Sequence, residues 1–278
     1  MTFWTRTVPG MFLTFLIAIP LLGAASGGKE ATREDFREIS TAGADRLKLA
    51  VGAGFLNVIG EDSRNEIRME AKITAMGRDR QMAEEILEEV EIRETRRGST
   101  LTLKTRGPDE LKRGGFRVDI SIWIPSGMDL EISDGSGDIE VVDMRNGLEI
   151  NDGSGDIEIQ SLEGPLEISD GSGNIDLAQI RGEVSIQDGS GGIRIDSLTG
   201  SLDVQDGSGS ITIRNVTGST EVQDGSGNID IRDVIGDVRI SDVSGNILVN
   251  QIDVNLMIDN DGSGSLQIGE VSGRVEKP

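Results

Sequence analysis

Residues 148–165 read LEINDGSGDIEIQSLEGP, and their pattern decides the fold. Leu148 and Ile150 alternate with Glu149 and Asn151, which makes one face apolar and the other polar. After a corner at 152–155, Ile157 and Ile159 alternate in the same way with Asp156 and Glu158. Leu162 adds a fifth apolar contact, and Gly164 marks the next corner. Alternation with a period of two belongs to a strand with one buried face. Such short strands are not stable alone, so they must stack on copies of themselves to close a core.

The copies are present. Asp-Gly-Ser-Gly begins at Asp134, Asp152, Asp170, Asp188, Asp206 and Asp224, a variant begins at Asp242, and the last copy begins at Asp261. The steps are 18 residues throughout except the last, which is 19. Self-similarity at a fixed period marks a solenoid. Stacking would turn Ile132, Ile150, Ile168, Ile186, Val204, Val222, Ile240 and Ile258 into one inward ladder. Ile139, Ile157, Ile175, Ile193, Ile211, Ile229, Ile247 and Leu266 would form another. With strands about 4.8 Å apart, the coils make a rod of roughly 40 Å. The expected fold is an all-β parallel solenoid. Parallel crossovers favour a right-handed coil, while the coil length also suits the left-handed hexapeptide type, so the residues leave the hand open.

Comparing the corners separates their two glycines. The second is present in every copy, whereas Val243 replaces the first in the seventh. A β-branched residue tolerates positive φ poorly, so the second glycine is expected to hold that conformation. The corner Asp suits an Asx turn, accepting an amide further along the corner. Ser136 and its equivalents are candidates to turn inward and bond along the stack. Val243, Val254 and the extra residue near Asn260 predict a bulge or break in the seventh copy.

Residues 47–58 align position for position with 148–159, with both glycines kept and Asp and Ser replaced by Val51 and Ala53. This reads as an atypical first coil interrupted by an insertion. Within the insertion Met82, Ile86, Leu87 and Val90 recur at helical spacing, and Asp79 is a candidate N-cap, which predicts a helix near 80–90. Strands are expected at 90–94, 101–104 and 118–124, the first two joined at Arg97-Gly98 as a hairpin. Phe55, Phe116 and Trp123 are expected to close the end of the core, since terminal repeats must do so. Residues 26–42 are polar and read as a linker, residues 43–127 as an N-terminal β-rich cap, and residues 128–278 as a solenoid of eight repeats.

Residues 1–25 read as an export signal. Arg6 precedes the apolar run MFLTFLIAIPLL at 11–22, and Gly23, Ala24 and Ala25 offer small residues for cleavage. That run is too short to span about 30 Å of hydrocarbon as a helix. The mature chain is therefore expected outside the cytoplasm, in the periplasm, on the surface or secreted, with no transmembrane segment. Zero Cys among 278 residues excludes disulfides and thiolate chemistry, and zero His removes the commonest general base and metal ligand. A net charge of −22 opposes binding to nucleic acid. No cofactor is implied.

Repeated D-G-S-G-[DN]-I-x-[IV] units behind an export signal resemble the bacterial putative-adhesin family of β-solenoid proteins, and more distantly the head GIN-domain auto-transporter adhesins. The resemblance covers about residues 43–278. It implies an envelope or surface location and an adhesive or scaffolding role, and it brings no catalytic residues.

Three functions compete. A rigid rod with identical repeated faces suits binding to a protein or cell-envelope polymer, although the repeats provide no aromatic platform for sugars. The aspartates Asp134, Asp152, Asp170, Asp188, Asp206, Asp224, Asp242 and Asp261 would stack along one edge, where a calcium ion could relieve their repulsion. Asp as turn-former is the simpler reading, because calcium-binding nonapeptide rolls need a different motif twice per coil. Carboxylate pairs such as Asp138 and Glu140 offer acid and base for a polysaccharide-acting enzyme. A solvated charged face accounts for them better. Ice binding is remoter still, as it needs flat Thr arrays. Lys104, Arg106, Lys112 and Arg113 form a basic cluster that could meet an anionic partner. The reading carried forward is a non-enzymatic, adhesin-like module.

Overall fold

The computed structural model describes residues 29–108 and 114–278, so the export signal and Lys112 and Arg113 lie outside the described residues. Two sheets of twelve strands each enclose one continuous aliphatic core. A single coil shows why. Leu148–Asp152 runs in the first sheet, the chain turns at the glycine corner, and Ile157–Glu163 runs in the second. The chain then turns at Gly164 and Pro165, and Leu166–Asp170 comes down parallel on Leu148–Asp152. The partners are Leu148 with Leu166, Ile150 with Ile168 and Asp152 with Asp170.

Both expected ladders form. Ile150 pairs with Ile132 and Ile168, and Ile193 with Ile175 and Ile211, and all of these are buried. A shift of one residue would turn every inward side chain outward, so burial of one face fixes the register. The stack does not break at the seventh copy. The extra residue is absorbed as a register shift between Ile240 and Ser241, after which Ser241 pairs with Asn260.

The N-terminal portion consists of β1 (Glu30–Ser40), β2 (Arg46–Ala50), β3 (Leu56–Glu61), β4 (Glu66–Met76), α1 (Arg80–Glu89), β5 (Glu91–Arg97), β6 (Thr100–Arg106) and β7 (Gly115–Pro125). The decayed copy is a true coil. β2 lies parallel on β8 (Asp129–Ser133), with Leu47 against Leu130 and Leu49 against Ile132. β3 lies parallel on β9 (Ile139–Met144), with Leu56 against Ile139. The insertion contributes a further coil, because β6 and β7 stack in parallel beneath β2 and β3. Chain order is therefore inverted there: the later coil lies nearer the end of the rod. Antiparallel pairing of β5 with β6, of β4 with β7 and of β1 with β4 then ends the sheets. The boundary expected near residue 127 thus falls within sheets that run on without interruption.

α1 forms where the helical spacing places it. The Asp79 side chain accepts the Met82 amide at 2.9 Å, and Ala83 and Ile86 are buried. Among the described residues no helix is long and apolar enough to cross a membrane.

Two expectations about this end are corrected. Residues 30–40, read within a linker, form β1, an eleven-residue strand. Only Ala31 and Ile39 of this strand are buried. Its charged residues do structural work that hydropathy does not register. Arg33 donates to the carbonyls of Leu87 and Val90, and Arg37 to that of Ile92, so these arginines satisfy carbonyls around the C-terminus of α1. The aromatic residues do not plug the core. Phe55 is exposed, and Trp123 faces outward beneath the Arg68 guanidinium, 5.1 Å from the ring centre. Met69, Ala71, Ile73, Ala83 and Ile86 close the core instead. Phe116 alone of the three packs against it, partly buried.

Candidate functional site

The corner aspartates come first. Asp152 is the third member of the series Leu148, Ile150, Asp152, and period-two alternation turns all three inward. Asp134, Asp152, Asp170, Asp188, Asp206, Asp224 and Asp242 are all buried, the last completely. Asp261, after the longer step, is only half-buried, although it still pairs with Asp242. The expected edge of stacked aspartates is thus an internal file.

Each carboxylate in the file has two unlike oxygens. Oδ1 accepts the amide two residues on in the expected Asx turn, as in Asp170 to Ser172 at 3.2 Å, Asp188 to Ser190 at 3.1 Å and Asp242 to Ser244 at 3.0 Å. At Asp152 the Gly153 amide donates instead, at 2.8 Å. Oδ2 is shielded from solvent and has no partner from Asp152 to Asp242, and at Asp134 neither oxygen has one. Burial and then the charges above and below disfavour ionisation. Burial and the Asp134 charge push Asp152 up to about 6, and burial with Asp206 and Asp170 does the same for Asp188. The serines contribute mainly backbone: Ser154 accepts the Gly137 amide of the preceding coil at 2.9 Å, and among the described residues only the exposed Ser136 hydroxyl donates along the stack at this corner in the first six copies, to the Gly52 carbonyl at 3.5 Å.

Among the described residues, no group of three or more His, Cys, Asp or Glu converges in a way that could hold a metal ion. Calcium needs six to eight oxygens. The file offers two free oxygens to each gap, so its geometry does not suit that ion.

Asp138 and Glu140, weighed as acid and base, separate by role. Asp138 Oδ1 accepts the Asp156 amide of the next coil at 3.0 Å, and Asp156 Oδ1 accepts the Asn174 amide at 2.8 Å. Where the position after the second glycine carries Asp or Asn, its side chain ties one coil to the next, whereas Gly192 at this position has none.

The concave surface lies elsewhere, at a bend the sequence reading missed. Asp143, Ser161, Gln179, Ser197, Asn215, Asp233 and Gln251 all have φ between 57° and 67°, one in each of the first seven repeats. Left-handed backbone is unusual in residues other than glycine. The signal was in the spacing: Ile157 and Ile159 are two apart, but Leu162 follows three later. Both Leu162 and Ile159 are buried, so the chain must bend at Ser161 to return inward.

These bends line a groove of about 1010 Å³ running from Gly60 to Thr217. A second groove of about 580 Å³ begins at the shared residues Asn215 and Thr217 and continues to Ser272. Together they follow most of the rod. The middle of the channel presents Ser161, Gln179, Ser197, Thr199, Asn215 and Thr217. The flanks are net acidic, with Glu61, Asp62, Asp143 and Arg145 at one end and Asp233, Asp253 and Glu270 at the other. In the middle Arg181 lies 3.4 Å from Glu163, so on a chain of net charge −22 this stretch is close to neutral. It offers hydroxyl and amide groups in single file, some of them bonded along the stack, as Ser161 is to Gln179 at 3.2 Å.

The fold and this surface define a parallel β-solenoid repeat protein. The family model for Toastrack DUF4097 matches residues 48–234, more than half of the chain, and the chain belongs to that family. Among solved structures, a putative lipid binding protein from Parabacteroides distasonis is 22% identical, with a TM-score of 0.50, over 90% of this chain and 98% of that one. A putative adhesin from Parabacteroides merdae is 15% identical, with a TM-score of 0.41, over 90% and 97% respectively. A putative cell adhesion protein from Clostridium sporogenes is 14% identical, with a TM-score of 0.33, over 88% and 98%. No curated protein matches. No enzymatic family is indicated by these comparisons.

Proposed function

We propose that this chain is an exported, non-enzymatic, adhesin-like module that holds an extended, uncharged polymer of the cell envelope along the groove of left-handed bends. The observation that carries this reading is the near-neutral file of Ser161, Gln179, Ser197 and Asn215 on an otherwise strongly acidic surface. One polar contact per coil, repeated in register, gives a weak subsite many copies on a rigid frame, and affinity then grows by avidity rather than by any single strong contact. The names of the structural neighbours and the export signal at 1–25 support the same location and role.

Co-sedimentation of the purified full-length chain with isolated cell-wall or outer-membrane polymer tests it. The wild type is expected to pellet with one of these fractions. The double variant Ser161→Glu, Ser197→Glu, which charges the channel without touching the core, is expected to lose about tenfold in affinity, roughly 1.4 kcal/mol. Equal pelleting of the two proteins would remove the groove from the function.

A further inference from the structure

The buried aspartate file has no role in the groove, yet it is the most costly arrangement in the molecule. Seven carboxylates lie one above another in the wall of an aliphatic core. From Asp152 onward each keeps one shielded oxygen without a hydrogen-bond donor. An isolated buried carboxylate is far too costly to persist, and it escapes by pairing or by taking up a proton. The charges that act on the file are all acidic: its own members, Asp156 beside Asp170, and Asp261 beside Asp242. No Lys or Arg is among them.

We propose that the aspartates from residue 134 to residue 242 form a proton-binding file, in which some members are held as neutral carboxyls between charged neighbours. A proton placed on alternate members leaves each remaining charge between neutral neighbours and roughly halves the buried charge. It needs no additional ligands and no space. From Asp152 to Asp242 a backbone amide holds each Oδ1, so the shielded Oδ2 atoms recur once per coil at the spacing of the strands, about 4.8 Å.

The consequence is a rod that tightens in acid. The raised values mean that the folded chain binds more protons than the unfolded chain between the ordinary Asp value of 3.8 and about 6. Stability therefore falls as pH rises through that window and is greatest at its acid end. Carboxylates paired with cations give the opposite slope.

Infrared spectroscopy of the full-length chain, treated with chelator, reads the protons directly. At pH 6 about half of the Asp152 and Asp188 sites should show the C=O stretch of a neutral carboxyl. An ordinary Asp would be under about 1% protonated there. The melting temperature should fall from pH 5 to pH 7.5. In the double variant Asp152→Asn, Asp188→Asn most of the neutral-carboxyl signal at pH 6 should vanish and the pH slope should flatten. Absence of that signal from the wild type at pH 6 would overturn the proposal. A wild-type melt raised by calcium and lowered by chelator would also overturn it, because a cation would then occupy the file.

Discussion

A Cβ built on Gly227 would lie 1.5 Å from the carbonyl oxygen of Gly209, directly below it in the stack. The two second-corner glycines therefore exclude any side chain twice over, by contact and by φ of 152° and 157°. The first-corner glycines are more forgiving: a Cβ on Gly225 would meet the Gly207 oxygen at 2.5 Å, φ is not left-handed there, and the protein itself places Val243 at this position. Gly209→Ala is expected to cost about 3 kcal/mol or more, and Gly207→Ala about 1 kcal/mol. Urea unfolding of the two variants side by side checks the ranking.

Ile193 is buried between Ile175 and Ile211 in mid-rod, where little slack exists to fill a void. Ile193→Ala is expected to lose about 3–4 kcal/mol, whereas Ile258→Ala near the C-terminal end should lose less, since fewer coils lie above it. Because each coil contacts only its neighbours, the Ile193 variant should also broaden the denaturation curve, which a second spectroscopic probe would detect as non-coincident transitions.

Asp188 offers a charge test at one site. Asp188→Asn keeps an acceptor for the Ser190 amide and removes a buried charge, so it is expected to raise the melting temperature at pH 7.5. Asp188→Ala strands that amide and should lower it, by an amount equivalent to about 1–2 kcal/mol. At pH 4.5, where the native carboxyl is already neutral, the advantage of Asn should disappear. Thermal melts at the two pH values decide the matter.

The helix cap at the closed end is separable from the repeats. Asp79→Ala removes the acceptor of the Met82 amide and is expected to cost about 1 kcal/mol. Hydrogen exchange should show the loss in α1 and its neighbours β1 and β4, with the distant coils unchanged.

How much of this was legible depended on whether a residue's role was local. The inward ladders, the second-glycine conformation, the Asx turns and the helix at Arg80–Glu89 follow from period, spacing, comparison of the copies and backbone chemistry. β1 was not legible, because Arg33 and Arg37 stabilise it through carbonyls more than fifty residues away. The aspartates were assigned to the correct turn, but the side of the wall they face was not read. The alternation of Leu148, Ile150 and Asp152 already indicated their direction; the polar residue type argued against it, and geometry prevailed.

The sequence alone determined that the chain coils, at what period, and which aliphatic residues face inward, because a repeated two-residue alternation has one way to bury its apolar face. Tertiary structure alone decided that the β6–β7 coil slips beneath β2 and β3, and that the bends at Ser161 and its equivalents join into a groove. These features arise between coils, where contacts join residues distant in the chain and no single repeat carries their pattern.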